Sequence, residues 1–400
     1  MYRLLSSRPM EFVGLVSYSF YLWHWPALAF ARHWTGGAEL ALSVSMPAIA
    51  VAFVLSVLSF RFVERPFRRR RDGGGAGTMR VLAGASAVTV ALGGIGLAIA
   101  LADGVPGCLA PSVKAAFAGA EDINPDREAC FRREPANGLC RFEAAGKEPR
   151  ADVLLGGDSH ADAAWPGVRA WAREAGLDAS FAGRDSCPPV TGVARDDAKF
   201  DSCTGFNDRV LTHVVEGEAH DLVILHARWP PLSVEGARTG HGAELRLRDG
   251  SSVAHDADGN ASLLDAGLTR TAEALRRSGR DVVLLGSVPG IPFVVPAAAA
   301  RAARLGIPVP VGPSAAALTA RQRRSETLLR RVAEATGALY LDLGGAFCAP
   351  DCAVVDSDGR PLYVDDHHVS ATAARRRIAP ALSVALPAGE TVGRAVGAPR

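Results

Sequence analysis

Asp152-Val-Leu-Leu-Gly-Gly-Asp-Ser-His-Ala161 opens as a short apolar run and closes on two glycines, an acid, a serine and a histidine. The pattern predicts a buried strand over Asp152 to Leu155, a tight turn, and a helix from Ala161 to Ala175. The same rhythm recurs downstream. Strands are expected at Ala179 to Ala182, Asp221 to Leu225, Asp281 to Leu285 and Leu339 to Leu341, and helices at Asn207 to Glu216, Ser262 to Arg277, Thr319 to Thr336 and Ser370 to Leu382. Short, continuously apolar strands alternating with amphipathic helices describe an α/β fold, a doubly wound parallel sheet sandwiched by helices. Open sheets of this kind bind ligands beyond the carboxyl ends of their strands. The first strand delivers Ser159 there, at a turn that can expose a hydroxyl nucleophile and aim a helix N-terminal N–H at an oxyanion. The plainer reading is that Asp158 or Ser159 caps the helix.

A second cluster precedes the last predicted helix: Tyr363-Val-Asp-Asp-His-His-Val-Ser370. In an Asp-x-x-His arrangement the carboxylate orients and polarises the imidazole while the imidazole reaches a serine. Asp365 and His368 have that spacing, and Asp366 and His367 shadow it. An exposed acidic, His-rich loop or a divalent-metal site would use the same residues, but no third cluster at ligand spacing accompanies them, so no metal is assigned.

Working toward the amino terminus, the 400-residue chain is 48% hydrophobic and 22% charged, too apolar for an ordinary soluble protein of this length. Three apolar stretches, at about 12–31, 40–60 and 81–102, each approach the ~20 residues that cross a hydrocarbon core as a helix. Arg3 and Arg8 precede the first, and the run Arg68 to Arg71 lies between the second and third. The positive-inside rule therefore places the N-terminus in the cytoplasm and everything after residue 102 outside. The net charge of +2 hides basic residues that are nearly all arginine, with that run their densest cluster, a topology signal and not a nucleic-acid footprint. Ala100-Leu-Ala102 resembles a signal-peptide cleavage site, but the internal, long apolar run favours an uncleaved anchor. The expected domains are the membrane segment 1–102, a Pro-punctuated linker with a small stapled lobe over 103–150, the α/β domain 151–385 and a tail 386–400. Six of the seven cysteines fall in close sequence pairs after the spans, which suits an oxidising compartment. Cys130 with Cys140, Cys187 with Cys203, and Cys348 with Cys352 are the pairs suggested by proximity, although sequence alone does not fix connectivity.

Ser17-Tyr-Ser-Phe-Tyr-Leu-Trp-His-Trp-Pro26, in the first stretch, is polar and aromatic for a lipid-facing helix. His24 is either a functional intramembrane group or part of an interfacial aromatic belt. Together with Val63-Glu-Arg-Pro-Phe67, the segment from Gly14 to Pro26 resembles the end of the membrane-bound acyltransferase-3 family, whose members carry acyl groups across the membrane onto extracytoplasmic glycans. The likeness covers about the first 70 residues. It implies a truncated acyltransferase part, because that family has many more spans, and the histidine and arginine it uses lie in earlier ones with no matching position here.

Gly-Asp-Ser-His after the first strand and Asp-x-x-His-Val-Ser before the last helix resemble the SGNH-hydrolase fold, which is flavodoxin-like, and specifically the SGNH domains fused behind acyltransferase-3 membrane domains. The likeness runs from about Asp152 to Leu382. It implies Ser159 as nucleophile, His368 as general base and Asp365 as its orienting partner. Gly205-Phe-Asn-Asp208 reads literally as the block that supplies an oxyanion-hole Asn in ordinary SGNH enzymes. It falls at an expected helix start and not after the third strand, where His226-Ala-Arg-Trp229 stands instead, as fused domains tend to show. The remaining oxyanion or substrate-binding candidates are Gly183, Ser186, Arg228 and Trp229. Gly183 is equally a turn glycine, Arg228 binds a substrate anion or pairs with an acid such as Asp158, and Trp229 stacks on a sugar or packs in the sheet edge.

The resemblance implies a multi-pass protein of the bacterial cell membrane with an extracytoplasmic SGNH domain, O-acylating, chiefly O-acetylating, a glycan such as lipopolysaccharide, peptidoglycan or exopolysaccharide through an acyl-serine. It binds no cofactor of its own, with acetyl-CoA the indirect acyl donor when a complete membrane domain is present, and a separate membrane acyltransferase subunit is the alternative source. An esterase or deacetylase using the same triad, or a non-catalytic glycan-binding partner, would share these motifs.

Overall fold

The computed structural model describes residues 7–35, 40–65, 75–102, 106–144, 152–217, 220–232 and 245–387. The Arg68 to Arg71 run, Pro66-Phe67, Pro149 and most of the expected tail lie outside the described residues. The chain divides into two compact units, Met1–Ala115 with Ala300–Pro308, and Ala116–Ala299 with Val309–Arg400.

The first unit contains three long helices, α1 (Arg8–Trp34), α2 (Leu42–Ser59) and α3 (Gly75–Leu101). Two stretches, Leu42–Glu64 and Leu82–Leu101, are long and apolar enough to cross a membrane. Helix α1 is longer still but carries Arg8, Glu11 and Arg32 and a polar, aromatic middle, so apolarity alone does not make it a third span. Helices α1 and α2 pack together, burying Val16 and Ser19 on one and Ala52 and Ser56 on the other, small residues that let two backbones approach closely. Ser19 also hydrogen-bonds Glu64, which joins the two sequence segments that carry the acyltransferase likeness. His24 Nδ1 lies 2.8 Å from the Tyr21 carbonyl and 3.2 Å from that of Phe20, both on its own helix.

The second unit is built on a six-stranded sheet. Its strands are β1 (Cys140–Phe142), β2 (Asp152–Gly157), β3 (Asp178–Gly183), β5 (Leu222–His226), β7 (Asp281–Leu285) and β8 (Leu339–Leu341), while β4 (Ala194–Arg195) and β6 (Leu247–Arg248) form a separate two-stranded ribbon. The order is β1-β3-β2-β5-β7-β8, parallel throughout except for β1 at the edge. Counting only the five parallel strands, this is the flavodoxin-like 2-1-3-4-5 order, whose direction of winding reverses between the first and third strands. That switch point lies between β2 and β5.

Alternation along the strands divides the core. Val153, Leu155, Ile224, Val283 and Leu285 face one side, under α4 (Ser159–Ala175) and the final helical segment, Ala371–Ala373, Ala374–Ile378 and Ala379–Ala385. Leu154, Val223, Leu225, Val282 and Leu284 face the other, under α5 (Phe200–Glu216), α6 (Ala257–Arg277) and α8 (Ala315–Thr336). A helix that sequence reasoning passed over, α7 (Val295–Leu305), follows β7.

Much of the region read as a linker belongs to the domain. Cys140–Phe142 adds an antiparallel strand to β3, Asp126 accepts from Trp165 and Arg169 on α4, and the Asp122 carbonyl accepts from the N–H of Ala371 at 2.7 Å. Three residues reading Cys-Arg-Phe are too short to show strand periodicity, so the edge was invisible in sequence. Three disulfides form, Cys130–Cys140, Cys187–Cys203 and Cys348–Cys352, and Cys108 is a free, exposed thiol.

At the switch point the backbones approach so closely that Gly157 is obligatory: a Cβ there would lie 1.9 Å from the His226 carbonyl oxygen and 2.5 Å from Ala161 Cβ. Gly157→Ala must therefore part β2 from β5 or shift α4. The expected loss is about 2–3 kcal/mol, in the range of overpacking substitutions, read as a lowered unfolding midpoint of the full chain; an unchanged midpoint would contradict this packing.

Candidate active site

The Gly-Asp-Ser-His turn sits at the carboxyl end of β2, at the switch point. Asp158 is the N-cap of α4, and one oxygen accepts from the N–H of His160 at 2.8 Å while the other accepts from the N–H of Arg228, just beyond β5, at 3.1 Å. Capping thus falls to Asp158 and leaves the Ser159 hydroxyl free. As the first residue of α4, Ser159 holds one of the N–H groups that have no acceptor within their own helix.

The partner of Ser159 arrives from the other end of the domain. Tyr363 and Val369 pair across a tight loop, and the Val364 N–H donates to the His368 carbonyl at 3.0 Å. The carbonyls of Asp365 and Asp366 are tied down by the N–H groups of Val295 and Ile291. On this scaffold His368 Nε2 lies 2.9 Å from Ser159 Oγ, and His368 Nδ1 lies 2.6 Å from Asp365 Oδ2. The other Asp365 oxygen accepts from the backbone N–H groups of His368 at 2.7 Å and His367 at 2.8 Å. Burial works against ionising Asp365, but the imidazole and these two N–H groups outweigh it and hold the carboxyl well below the usual carboxylate range. Asp365 therefore stays ionised, fixes the Nδ1–H tautomer, and leaves Nε2 able to take the serine proton. Ser159, His368 and Asp365 form an unbroken hydrogen-bonded line, the arrangement that a serine nucleophile, its base and an orienting acid require.

Further histidines surround it. His160, buried, has its ring centroid 4.7 Å from that of His368, 5.3 Å from His367 and 6.3 Å from His226. Burial first, then the neighbouring imidazoles, push His160 well below its ordinary value, and burial takes His226 down to about 4. Both are buried and neutral, His160 against the His368 ring and His226 against His160, and each leaves a buried Nε2 without a hydrogen bond. Sequence reasoning passed over them, although one belongs to the Gly-Asp-Ser-His quartet and the other ends the third parallel strand. His160 also supplies the third group that the metal reading lacked, since nitrogens of His160, His367 and His368 lie within 4.8 Å of one another. Both His368 nitrogens, however, already serve Asp365 and Ser159.

The other expected residues divide. Gly183 pairs in register with Gly157, two residues before the nucleophile, and its carbonyl accepts from Arg132 N–H at 2.7 Å. Ser186, half-buried, holds a left-handed backbone (φ +54°) just before the Cys187–Cys203 bridge. Neither hydrogen-bonds Ser159 or His368 among the described residues. The Arg228 side chain is exposed, while its backbone, not its guanidinium, meets Asp158. Trp229 corrects the sugar-stacking expectation: it is fully buried, with Nε1 donating to the Leu285 carbonyl at 2.8 Å, so its ring is core. Asn207 is not at a helix start but midway along α5, where Nδ2 donates to the carbonyls of Pro188 and Val190, a wholly structural use.

Replacing Asp365 by Asn should lower turnover of an acyl ester by about 10³- to 10⁴-fold, because the amide favours the wrong imidazole tautomer; Ser159→Ala should fall at least as far, and near-normal rates for either would exclude the relay. The neutral histidines set a second expectation. His226 titrates lower folded than unfolded, so the unfolded chain binds the extra proton, and stability complete above about pH 6.5 declines as pH falls toward about 4. Unfolding midpoints measured between pH 8 and 4 should trace that decline, and a flat profile would show the ring is not buried neutral.

Residues 125–382, well over half of the chain, match the family model described as "SGNH domain (fused to AT3 domains)". Over 68 residues the chain is 31% identical to O-acetyltransferase OatA of Staphylococcus aureus (strain NCTC 8325 / PS 47), a match spanning 17% of this chain and 11% of that protein. It is likewise 31% identical over 67 residues to Putative O-acetyltransferase SACOL0978 of Staphylococcus aureus (strain COL), again 17% and 11% of the two chains. The chain thus spans only about a tenth of the length of these curated relatives. Among solved structures, the lipopolysaccharide acetyltransferase periplasmic domain of Salmonella ser. Paratyphi A aligns with a TM-score of 0.47 and 15% identity, covering 68% of this chain and 97% of that one. On the strength of the family match, the chain belongs to the SGNH domains fused to AT3 domains.

Proposed function

We propose that the chain is a membrane-anchored O-acyltransferase that moves an acetyl group to a hydroxyl of an extracytoplasmic glycan. The observation that carries this reading is the unbroken line of hydrogen bonds from Ser159 Oγ through His368 to Asp365. In the first half-reaction the Ser159 oxygen attacks the donor's acyl carbon, His368 takes the serine proton, and the same proton leaves with the donor's departing group as the acyl–serine ester forms. In the second, a glycan hydroxyl gives its proton to His368 and attacks that ester, and the proton returns to Ser159 as the acetylated glycan departs. The developing oxyanion would be held by the Ser159 N–H and by a donor at the carboxyl end of β3, where Gly183 neighbours Gly157.

Acetyl-CoA would be the ultimate donor on the cytoplasmic side, reached through further acyltransferase-3 spans or a separate membrane subunit. The arginine run between the second and third apolar stretches and three disulfides in the second unit support an outward-facing domain on a multi-pass anchor of the cell membrane. In that arrangement α1 is the third span.

The test is to incubate the full chain with p-nitrophenyl acetate and a glycan acceptor and to analyse both products. Acetylated glycan, absent with Ser159→Ala, is the expected result. Free acetate without acetylated glycan would make the protein an esterase, and neither product would make it a binding partner only.

A further inference from the structure

Beside the relay lies a cavity of about 570 Å³, of the size that holds a sugar unit or two. His160 and His367 form its wall toward the triad, and Arg228 and Arg321 line it, with Ser287 and Gln322 contributing polar atoms. Neither Arg228 nor Arg321 has a carboxylate within ion-pair distance among the described residues. The acids nearest Arg228 are already engaged. Both oxygens of Asp158 accept backbone N–H groups, both oxygens of Asp365 serve the His367–His368 segment, and Asp366 bonds the His367 ring. Partial desolvation lowers the Arg228 guanidinium against the pull of Asp366, Asp158 and Asp365, and the like charge of Arg321 lowers it further. Ser287, 6% exposed, carries a buried hydroxyl with no hydrogen-bond partner. Two cations that repel each other and an idle buried donor would all gain from a single anion.

We infer that this cavity is the acceptor subsite and that it selects a glycan bearing an oxyanion substituent, a carboxylate or a phosphate, seated between Arg228 and Arg321 with the Ser287 hydroxyl donating to it. This rests on the acyl-transfer reading and narrows its substrate to acidic saccharides. Arg324, on the cavity rim, is paired with Asp258 and is not assigned a part.

Equilibrium binding to the full-length Ser159→Ala chain tests it without turnover, using maltotetraose, a phosphorylated maltotetraose and tetragalacturonate. One of the anionic probes should bind at least about tenfold more tightly than the neutral one, the gain expected from a single charge-assisted hydrogen bond, and which one does so identifies carboxylate or phosphate. Arg228→Gln with Arg321→Gln should erase that preference, Arg321→Lys should keep part of it, and Arg331→Gln, on the same helix as Arg321 but away from the cavity and paired with Asp265 of α6, should keep it all. Equal affinity for the three probes, a preference that survives loss of both arginines, or one equally sensitive to Arg331→Gln would overturn the inference. The two readings fail separately: acetylated glycan formed with equal ease on neutral and acidic acceptors sinks only the subsite, whereas anion-selective binding without any transfer sinks only the acyltransferase.

Discussion

The site depends on one buried carboxylate. Asp158 stands where the sheet reverses its winding, and its two oxygens bind the first turn of α4 and the chain leaving β5. Burial pushes this acid up, and the two N–H groups oppose that push. The same contact caps the helix that carries Ser159 and fixes the loop that carries Arg228. Ser159 and the cavity wall are thus both placed by a single group, and the glycine before it allows the two backbones to come near enough for both bonds.

Two aspartates in one site illustrate how environment divides identical chemistry. Asp158 is enclosed and spends its lone pairs on backbone; Asp365 is more open, faces an imidazole, and remains firmly ionised. Beside the His368 imidazole, neutral His160 supplies a polarisable, uncharged wall, and Asp365 supplies the directly bonded negative charge. In the proposed acyl transfer, Asp365 would stabilise the charge that His368 gains as it takes the serine proton.

Much of this was legible in the sequence, and for physical reasons. Four of the five parallel strands are buried along nearly their whole length and so read as apolar runs, and the Gly-Asp-Ser-His and Asp-x-x-His motifs need fixed residue types at fixed offsets. What escaped was whatever depended on tertiary placement. β1 is three residues long and owes its existence to β3. Trp229 looks like a stacking platform until the chain after β5 turns it inward beneath Leu285. His160 and His226 lie 66 positions apart and meet only when β2 and β5 adjoin. Arg321 sits on a helix whose charge pattern suggests solvent, and only the cavity sets it apart.

The serine and its base are separated by 209 residues. A chain made from its amino end therefore exposes Ser159 long before His368 exists, and until the Tyr363–Val369 loop docks, that serine is an ordinary alcohol with no base to activate it. Contacts this distant form late, because a long loop must close first. Under the proposed acyl transfer, the serine of an unfinished chain would have no base to activate it until that distant contact closes.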